Sequence, residues 1–197
     1  MSDIWAVVLA AGESKRMNAQ KMLLPFNGKT MIETVIDNIA GSKVDNTLVV
    51  LGSNSNEILK AIAHLSVMHC YNDHYKQGMF SSVKCGISAL PEKCRAVLIF
   101  PGDQPLIPSK VVNLVIGAYS DSKKGIVIPA YQKRRGHPLL VDRNYFEEIE
   151  KLDEQEGLRA LAYKHSDDVL EVETESPFIL RDIDTREEYL EALKFKS

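Results

Sequence analysis

The residues in this chain best suited to chemistry are two bases near its start and three acids far from them. Arg16 and Lys21 follow a run of small residues, Leu9-Ala10-Ala11-Gly12. Asp103 lies in Pro101-Gly102-Asp103-Gln104-Pro105, and Asp182 and Asp184 lie in Arg181-Asp182-Ile183-Asp184-Thr185. Bases neutralise a polyphosphate, and acids hold the divalent metal that bridges it. Such a basic-plus-acidic set is what phosphoryl and nucleotidyl transfer require, because positioning and charge neutralisation do most of the work there.

Each motif also has a plainer reading. Small residues at Ala10, Ala11 and Gly12 let backbone N–H groups approach a phosphate or base closely. The same loop would serve as a tight turn carrying solvated Lys and Arg. It is neither a Walker A loop nor a GxGxxG fingerprint. Asp103 suits Mg²⁺ at a strand end, yet Asp is common in Pro/Gly turns. Asp182 and Asp184 alternate, so an extended segment would turn both to one side, where one could complete a metal site with Asp103. Helix capping is the alternative. In Gln77-Gly78-Met79-Phe80-Ser81-Ser82 two serines open a helix, which suits an anion or ribose, although an N-cap alone explains them. Gly136-His137-Pro138 would contact substrate or simply shape a loop.

The elements that must position these residues are legible as alternating patterns. Apolar runs at Trp5–Leu9, Thr47–Leu51, Val67–Cys70, Ala96–Phe100 and Ile126–Pro129 read as strands. Between them, Thr30–Ile39, Glu57–His64, Ser82–Leu90 and Lys110–Tyr119 read as amphipathic helices. The alternation predicts βαβ units and a mainly parallel sheet, and the apolar strands fit coverage on both faces. Ligands of such sheets bind beyond the carboxyl ends of the strands, where Gly12 and Asp103 fall. Further on, Pro138–Val141 reads as a strand and Tyr145–Leu152, Leu158–His165 and Arg186–Lys194 as helices. Thr185 with Glu188 forms a capping-box pattern ahead of the last of these. No linker composition interrupts residues 1–197, so one domain is expected.

Composition narrows the class. The chain has 197 residues, 45% hydrophobic and 26% charged, with a net charge of −3. That balance argues against a nucleic-acid binder, whose face would be basic. The three cysteines include no CxxC pair, and the five histidines lack HxxxH spacing. A disulfide framework or zinc site is therefore not expected, and a reducing, cytoplasmic setting is. Met1–Trp5 carries no basic stretch, and no apolar run approaches the about 18 residues of a membrane span, so neither secretion nor a membrane is expected.

The order and spacing of the motifs are more specific than any one of them. Leu9–Lys21, Gly78–Ser82, Gly102–Pro105, Gly136–Pro138 and Asp182–Thr185 together resemble the MobA-like NTP transferase superfamily. The nearest pattern is its molybdenum cofactor cytidylyltransferase (MocA-like) branch. The resemblance runs from about Val7 to Leu193. It implies a Rossmann-like three-layer α/β sandwich of the nucleotide-diphospho-sugar transferase type. It implies transfer of CMP from CTP to the phosphate of a molybdopterin-type cofactor, with Mg²⁺ and release of pyrophosphate. A recipient molybdoenzyme or its chaperone would be a further partner. The guanylyl branch, which uses GTP, usually shows Gly-Gly where this chain has Ala11-Gly12. Other phosphorylated acceptors, and a non-catalytic cofactor carrier, are the alternatives.

By the resemblance, Arg16, Lys21 and Asp103 are catalytic, and Leu9, Ala10, Ala11, Gly12, Ser14, Gly78, Ser81, Ser82 and Gly102 surround the nucleotide. Asp103 binds metal with Asp184 or Asp182. Gly136, His137, Pro138 and Arg159 face the acceptor. The chain departs from the family pattern at Asn18, where Gly is usual, at Phe80, where Ser is usual, and at Arg186, where Pro is usual. Asn tolerates positive φ and the lost Pro is benign at a helix start, whereas Phe80 bears on base selectivity.

Overall fold

The computed structural model describes residues 3–14, 17 and 19–195. Arg16, expected to bind the triphosphate, and Asn18 lie outside the described residues.

The first strand, β1 (Ile4–Ala10), is buried along its whole length. Its side chains alternate between two cores, as the two-residue repeat of a strand requires. Ile4, Ala6, Val8 and Ala10 enter one core, packed with α1 (Met31–Ala40), α2 (Ser55–Ile62) and α4 (Ser109–Asp121). Trp5, Val7 and Leu9 enter the other, packed with α3 (Met79–Ser88), α5 (Phe146–Lys151) and α6 (Gly157–Lys164). The protein is thus a three-layer α/β sandwich of Rossmann-like type.

The remaining strands are β2 (Pro25–Phe26), β3 (Lys29–Thr30), β4 (Asn46–Leu51), β5 (Met68–Tyr71), β6 (Ala96–Pro101), β7 (Ile126–Tyr131), β8 (Arg134–Arg135), β9 (Leu139–Asp142) and β10 (Val169–Glu173). The central sheet runs β10-β7-β9-β6-β1-β4-β5, with β8 paired to β7. Its pairings are parallel except where β9 meets β6 and β7 and where β8 meets β7. A small third core of Phe26, Met31, Leu106, Ile183 and Ala192 joins the β2–β3 hairpin to α7 (Arg186–Ala192).

The capping box expected at α7 is present. The Thr185 side chain accepts from the Glu188 backbone, and the Glu188 carboxylate accepts from the Thr185 backbone. The segment read as a strand from Pro138 runs antiparallel, and β10, β8 and the β2–β3 hairpin add to the elements read from sequence. No helix among the described residues is long and apolar enough to cross a membrane.

Candidate active site

Register places the site. Leu9 of β1 lies opposite Pro101 of β6 in a parallel pair, so both strands end together. Their chains leave the sheet at Ala11-Gly12 and at Gly102-Asp103. The Gly102 backbone N–H donates to the Leu9 carbonyl at 3.0 Å. A Cβ on Gly102 would stand 2.8 Å from that same oxygen, closer than such atoms approach. Glycine therefore lets the two strand ends meet, and it sets Asp103 at the mouth of the β1 loop.

That loop folds back on itself. Ser14 adopts φ 54°, uncommon without glycine. Its hydroxyl donates to Gln20 Oε1 at 2.9 Å and accepts from the Lys21 backbone at 3.2 Å. Lys21 opens a short 3₁₀ turn (Lys21–Leu23), and Met22 buries its side chain against Gly102. The Lys21 side chain is thereby directed to the strand ends. Its ammonium donates to Asp103 Oδ2 at 2.5 Å and to Asp184 Oδ1 at 2.8 Å.

Asp184 reaches this point because the Ile183 backbone N–H donates to the Asp103 carbonyl at 3.1 Å and the Ile183 side chain is buried. Burial pulls the Lys21 ammonium down in pKa, but Asp103 and Asp184 outweigh it and hold it above its ordinary value. Burial pushes the Asp103 carboxyl up, against the pull of Lys21 and with help from Asp182 and Asp184. Charge pairing wins at Lys21 and burial wins at Asp103, in a partly dry site.

Asp182 takes a different partner. Gln104, only 3% exposed, donates from Nε2 to Asp182 Oδ1 at 2.5 Å, with His137 Nδ1 at 3.4 Å from the same nitrogen. The two acids expected to share a side thus part company: Asp184 joins Lys21, while Asp182 joins Gln104. Burial holds His137 below its usual pKa, opposed by Asp182 and Asp103. Its backbone donates to the Ile179 carbonyl at 3.0 Å. At Gly136 a Cβ would fall 2.3 Å from that carbonyl oxygen, so glycine is needed for the close approach. The following bond, His137–Pro138, is cis.

These residues border a cavity of about 560 Å³, whose lining includes Leu9, Phe80, Gln104, His137, Arg159 and Asp182. The structure therefore brings Gly136, His137 and Arg159 to one cavity, while Lys21, Asp103 and Asp184 meet outside its lining, Asp103 being next in the chain to the lining residue Gln104. A second cleft, about 400 Å³, lies at the opposite end of the sheet. Its tyrosines, Tyr119 and Tyr145, are tied to Asp142 and Asp168, and none of the sequence motifs reaches it.

Ser81 and Ser82 are placed differently. Both are buried, and Asn72 Nδ2 donates to their hydroxyl oxygens at 2.8 and 3.0 Å. The Ser81 hydroxyl donates to the Gly78 carbonyl at 2.8 Å. Gly78 takes φ 120°, a conformation L side chains rarely adopt, which turns the chain into α3. This cluster sits at the start of α3 and, among the described residues, makes no hydrogen bond to Lys21. Asn72 and Gln104 are the polar residues that sequence reasoning did not assign. Gln104 sits inside a motif already singled out, whereas no spacing signal ties Asn72 to Ser81.

Could the acids hold a metal? Asp103 and Asp184 already place one oxygen each around a single cation, the Lys21 ammonium, and an all-oxygen donor set suits a hard divalent ion. Among the described residues no group of three His, Cys, Asp or Glu is arranged as a cage. Two carboxylates would need substrate oxygens to complete the shell, which is the habit of Mg²⁺ in nucleotide sites. The residues present fit that ion.

Comparison with known proteins identifies the family. Over 195 residues the chain is 30% identical to the molybdenum cofactor cytidylyltransferase of Escherichia coli (strain K12), covering 98% of this chain and 96% of that protein. A partial likeness, 32% over 125 residues, covers 62% of this chain and 27% of the bifunctional protein GlmU of Clostridium kluyveri. Among solved structures, a nucleotidyl transferase from Methanothermobacter thermautotroptrophicus superposes with a TM-score of 0.84 at 24% identity, covering 97% and 96% of the two chains. The 4-diphosphocytidyl-2C-methyl-D-erythritol synthase of Anaerococcus prevotii gives 0.79 at 18%, covering 98% and 95%. These two likenesses bear on fold alone. Residues 6–169 match the MobA-like NTP transferase domain. The chain belongs to the MobA-like NTP transferase family and is a nucleotidyltransferase by descent.

Proposed function

We propose that this protein transfers CMP from CTP to the phosphate of a molybdopterin-type molybdenum cofactor, with Mg²⁺ held by Asp103 and Asp184. The observation that carries the reading is the Lys21–Asp103–Asp184 cluster at the joined ends of β1 and β6, beside a cavity of about 560 Å³. A volume in the range of about 300–1,000 Å³ is typical of small-molecule sites. The relationship to the Escherichia coli cytidylyltransferase supports the donor and the acceptor. Ala11, where the guanylyl branch shows a second glycine, supports cytosine.

In the reaction an oxygen of the acceptor phosphate attacks the α-phosphorus of CTP. The bond from that phosphorus to the bridging oxygen breaks, and pyrophosphate leaves. Asp103 and Asp184 would hold Mg²⁺, which would supply positive charge to offset that building on the triphosphate. Lys21, held cationic by the same acids, neutralises the triphosphate, and Arg16 acts with it by family likeness. Ala10, Ala11 and Gly12 keep the loop slim enough for nucleotide to lie on its backbone. His137, Gly136 and Arg159 line the acceptor cavity, with Asp182 fixed by Gln104 at its wall.

The test is pyrophosphate release from CTP, GTP and ATP, with molybdopterin cofactor as acceptor and Mg²⁺ present. CTP should give the highest kcat/KM, and chelation of the metal should abolish turnover. Preference for GTP would move the protein to the guanylyl reading. Turnover only with a sugar or polyol phosphate would replace the acceptor.

A further inference from the structure

Two cysteines unused by this chemistry meet at the free edge of the sheet. Cys70 lies on β5 and Cys85 on α3, yet their sulfurs are 3.7 Å apart. Both are partly accessible, whereas Cys94 is buried, its thiol pushed up to about 11 chiefly by burial. The location is open to small solutes. The strand β5 ends the sheet and pairs with β4 alone, and its Tyr71 is 52% exposed. Cys85 Sγ also lies 3.4 Å from the Tyr71 carbonyl. Composition gave no reason to pair these residues, because fifteen positions and no CxxC spacing separate them.

We propose that Cys70 and Cys85 are a modification site, a thiol pair that a small disulfide of the oxidised-glutathione class closes into an intramolecular disulfide clamping β5 to α3. The sulfurs are already in van der Waals contact, and bonding them at about 2.05 Å needs an approach of about 1.6 Å. The Cys85 thiolate attacks one sulfur of the oxidant, forming a mixed disulfide and expelling one small thiolate. Cys70 then loses its proton and attacks the Cys85 sulfur, expelling the second small thiolate. Two protein thiols are oxidised, one small disulfide is reduced to two thiols, and the two protons pass to the departing thiolates.

Cys70 is the resolving partner. Burial first, then the neighbouring Cys85, pushes its thiol up to about 12, so it stays protonated at neutral pH and does not lead the attack. The bond would lie near the link that Asn72, the residue after β5, makes to Ser81 and Ser82 of α3. It would therefore reinforce a junction that the native fold already makes, closing a loop of modest length and raising stability.

The full chain, fully reduced, is equilibrated in buffers of oxidised and reduced glutathione. Thiols are counted, non-reduced peptides are mapped by mass spectrometry, and Tm is measured. Two of the three thiols should disappear, a Cys70–Cys85 linked peptide should appear, Tm should rise, and dithiothreitol should reverse all three changes. Cys70→Ser should accumulate a stable glutathione adduct on Cys85, and Cys85→Ser should leave Cys70 unmodified. Retention of all three thiols, a lasting mixed disulfide on the unmodified chain, or a linked peptide with lowered Tm would each overturn the proposal. None of these readouts depends on nucleotidyl transfer, so this result and that of the proposed function are independent.

Discussion

Two polar clusters stand at the same end of the sheet, and they are built on opposite principles. Asn72, Ser81 and Ser82 are neutral and meet one another's hydrogen-bonding needs at 2.8–3.0 Å. Lys21, Asp103 and Asp184 join an ammonium to carboxylates in a site where burial already disfavours the Asp103 charge. The unsatisfied atoms differ as well. Gln20 Nε2 and Gln104 Oε1, the chain neighbours of Lys21 and Asp103, are buried without a partner, and no atom of the Asn72 cluster is. A satisfied neutral cluster fixes shape. A buried charged cluster beside polar atoms with unspent hydrogen-bonding capacity is the kind of exception that calls for a functional account.

The sharpest way to break this comparison is to neutralise one acid. Asp103→Asn should lower kcat for nucleotidyl transfer by about 10³-fold, the scale seen when a preorganised electrostatic group is removed. Its Tm should hold or rise, because the carboxylate it deletes is costly to bury. The two measurements must move apart. A variant that lost activity only by unfolding would place Asp103 among the structural residues.

The opposite split is expected at Asn72. Asn72→Ala takes the amide donor from the buried Ser82 hydroxyl and one partner from Ser81, which keeps its bond to the Gly78 carbonyl, and losing such pairing costs about 1–3 kcal/mol of stability. Denaturant melts should show that loss, while kcat stays within a few-fold of the parent. A collapse of kcat without a stability change would show that the serines act on the nucleotide directly, as family likeness implies.

A steric change of similar size lies on the cavity side. Gly136→Ala would drive a Cβ to 2.3 Å from the Ile179 carbonyl oxygen, and the backbone must give. Forced overpacking typically costs about 1–3 kcal/mol. Because the displaced segment carries His137, KM for the acceptor should rise more than KM for CTP.

The contrast between the clusters also marks what the residues alone could reveal. The strands β1, β4, β6 and β7 are legible because both faces are covered, leaving near-continuous apolar runs. The edge strand β10 hides because Val169-Leu170-Glu171-Val172-Glu173 alternates apolar with charged residues and pairs on one side only. The β2–β3 hairpin left a usable signal: Asn27-Gly28 at φ 50° and 87° is the sequence of a two-residue turn. Lys21, Asp103 and Asp184 are marked in the sequence by charge, turn position and family spacing. Their assembly depends on a backbone bond from Ile183 to Asp103, which no local pattern encodes. Asp182 and Asp184 alternate in the sequence, yet the fold gives them different partners. Asn72 left no trace, since long-range pairing with Ser81 is a property of the folded chain.

The smallest expected effect separates the clusters by pH. His137 borders the charged cluster through Gln104, and burial lowers its pKa from the ordinary 6.5. Below about pH 6.5 the unfolded chain takes up a proton that the folded chain resists, so the unfolded state binds more protons there. The His137 contribution is present above pH 6.5 and is lost as pH falls toward the lowered folded value. Urea midpoints measured from pH 7.5 downward should therefore fall more steeply in the parent than in His137→Gln. Asn72→Ala, whose cluster holds no titratable group, should shift the whole curve down and leave its slope unchanged. Equal slopes in the parent and His137→Gln would mean that Asp182 and Asp103 compensate the burial in full, and that the acidic side of the cavity extends to His137.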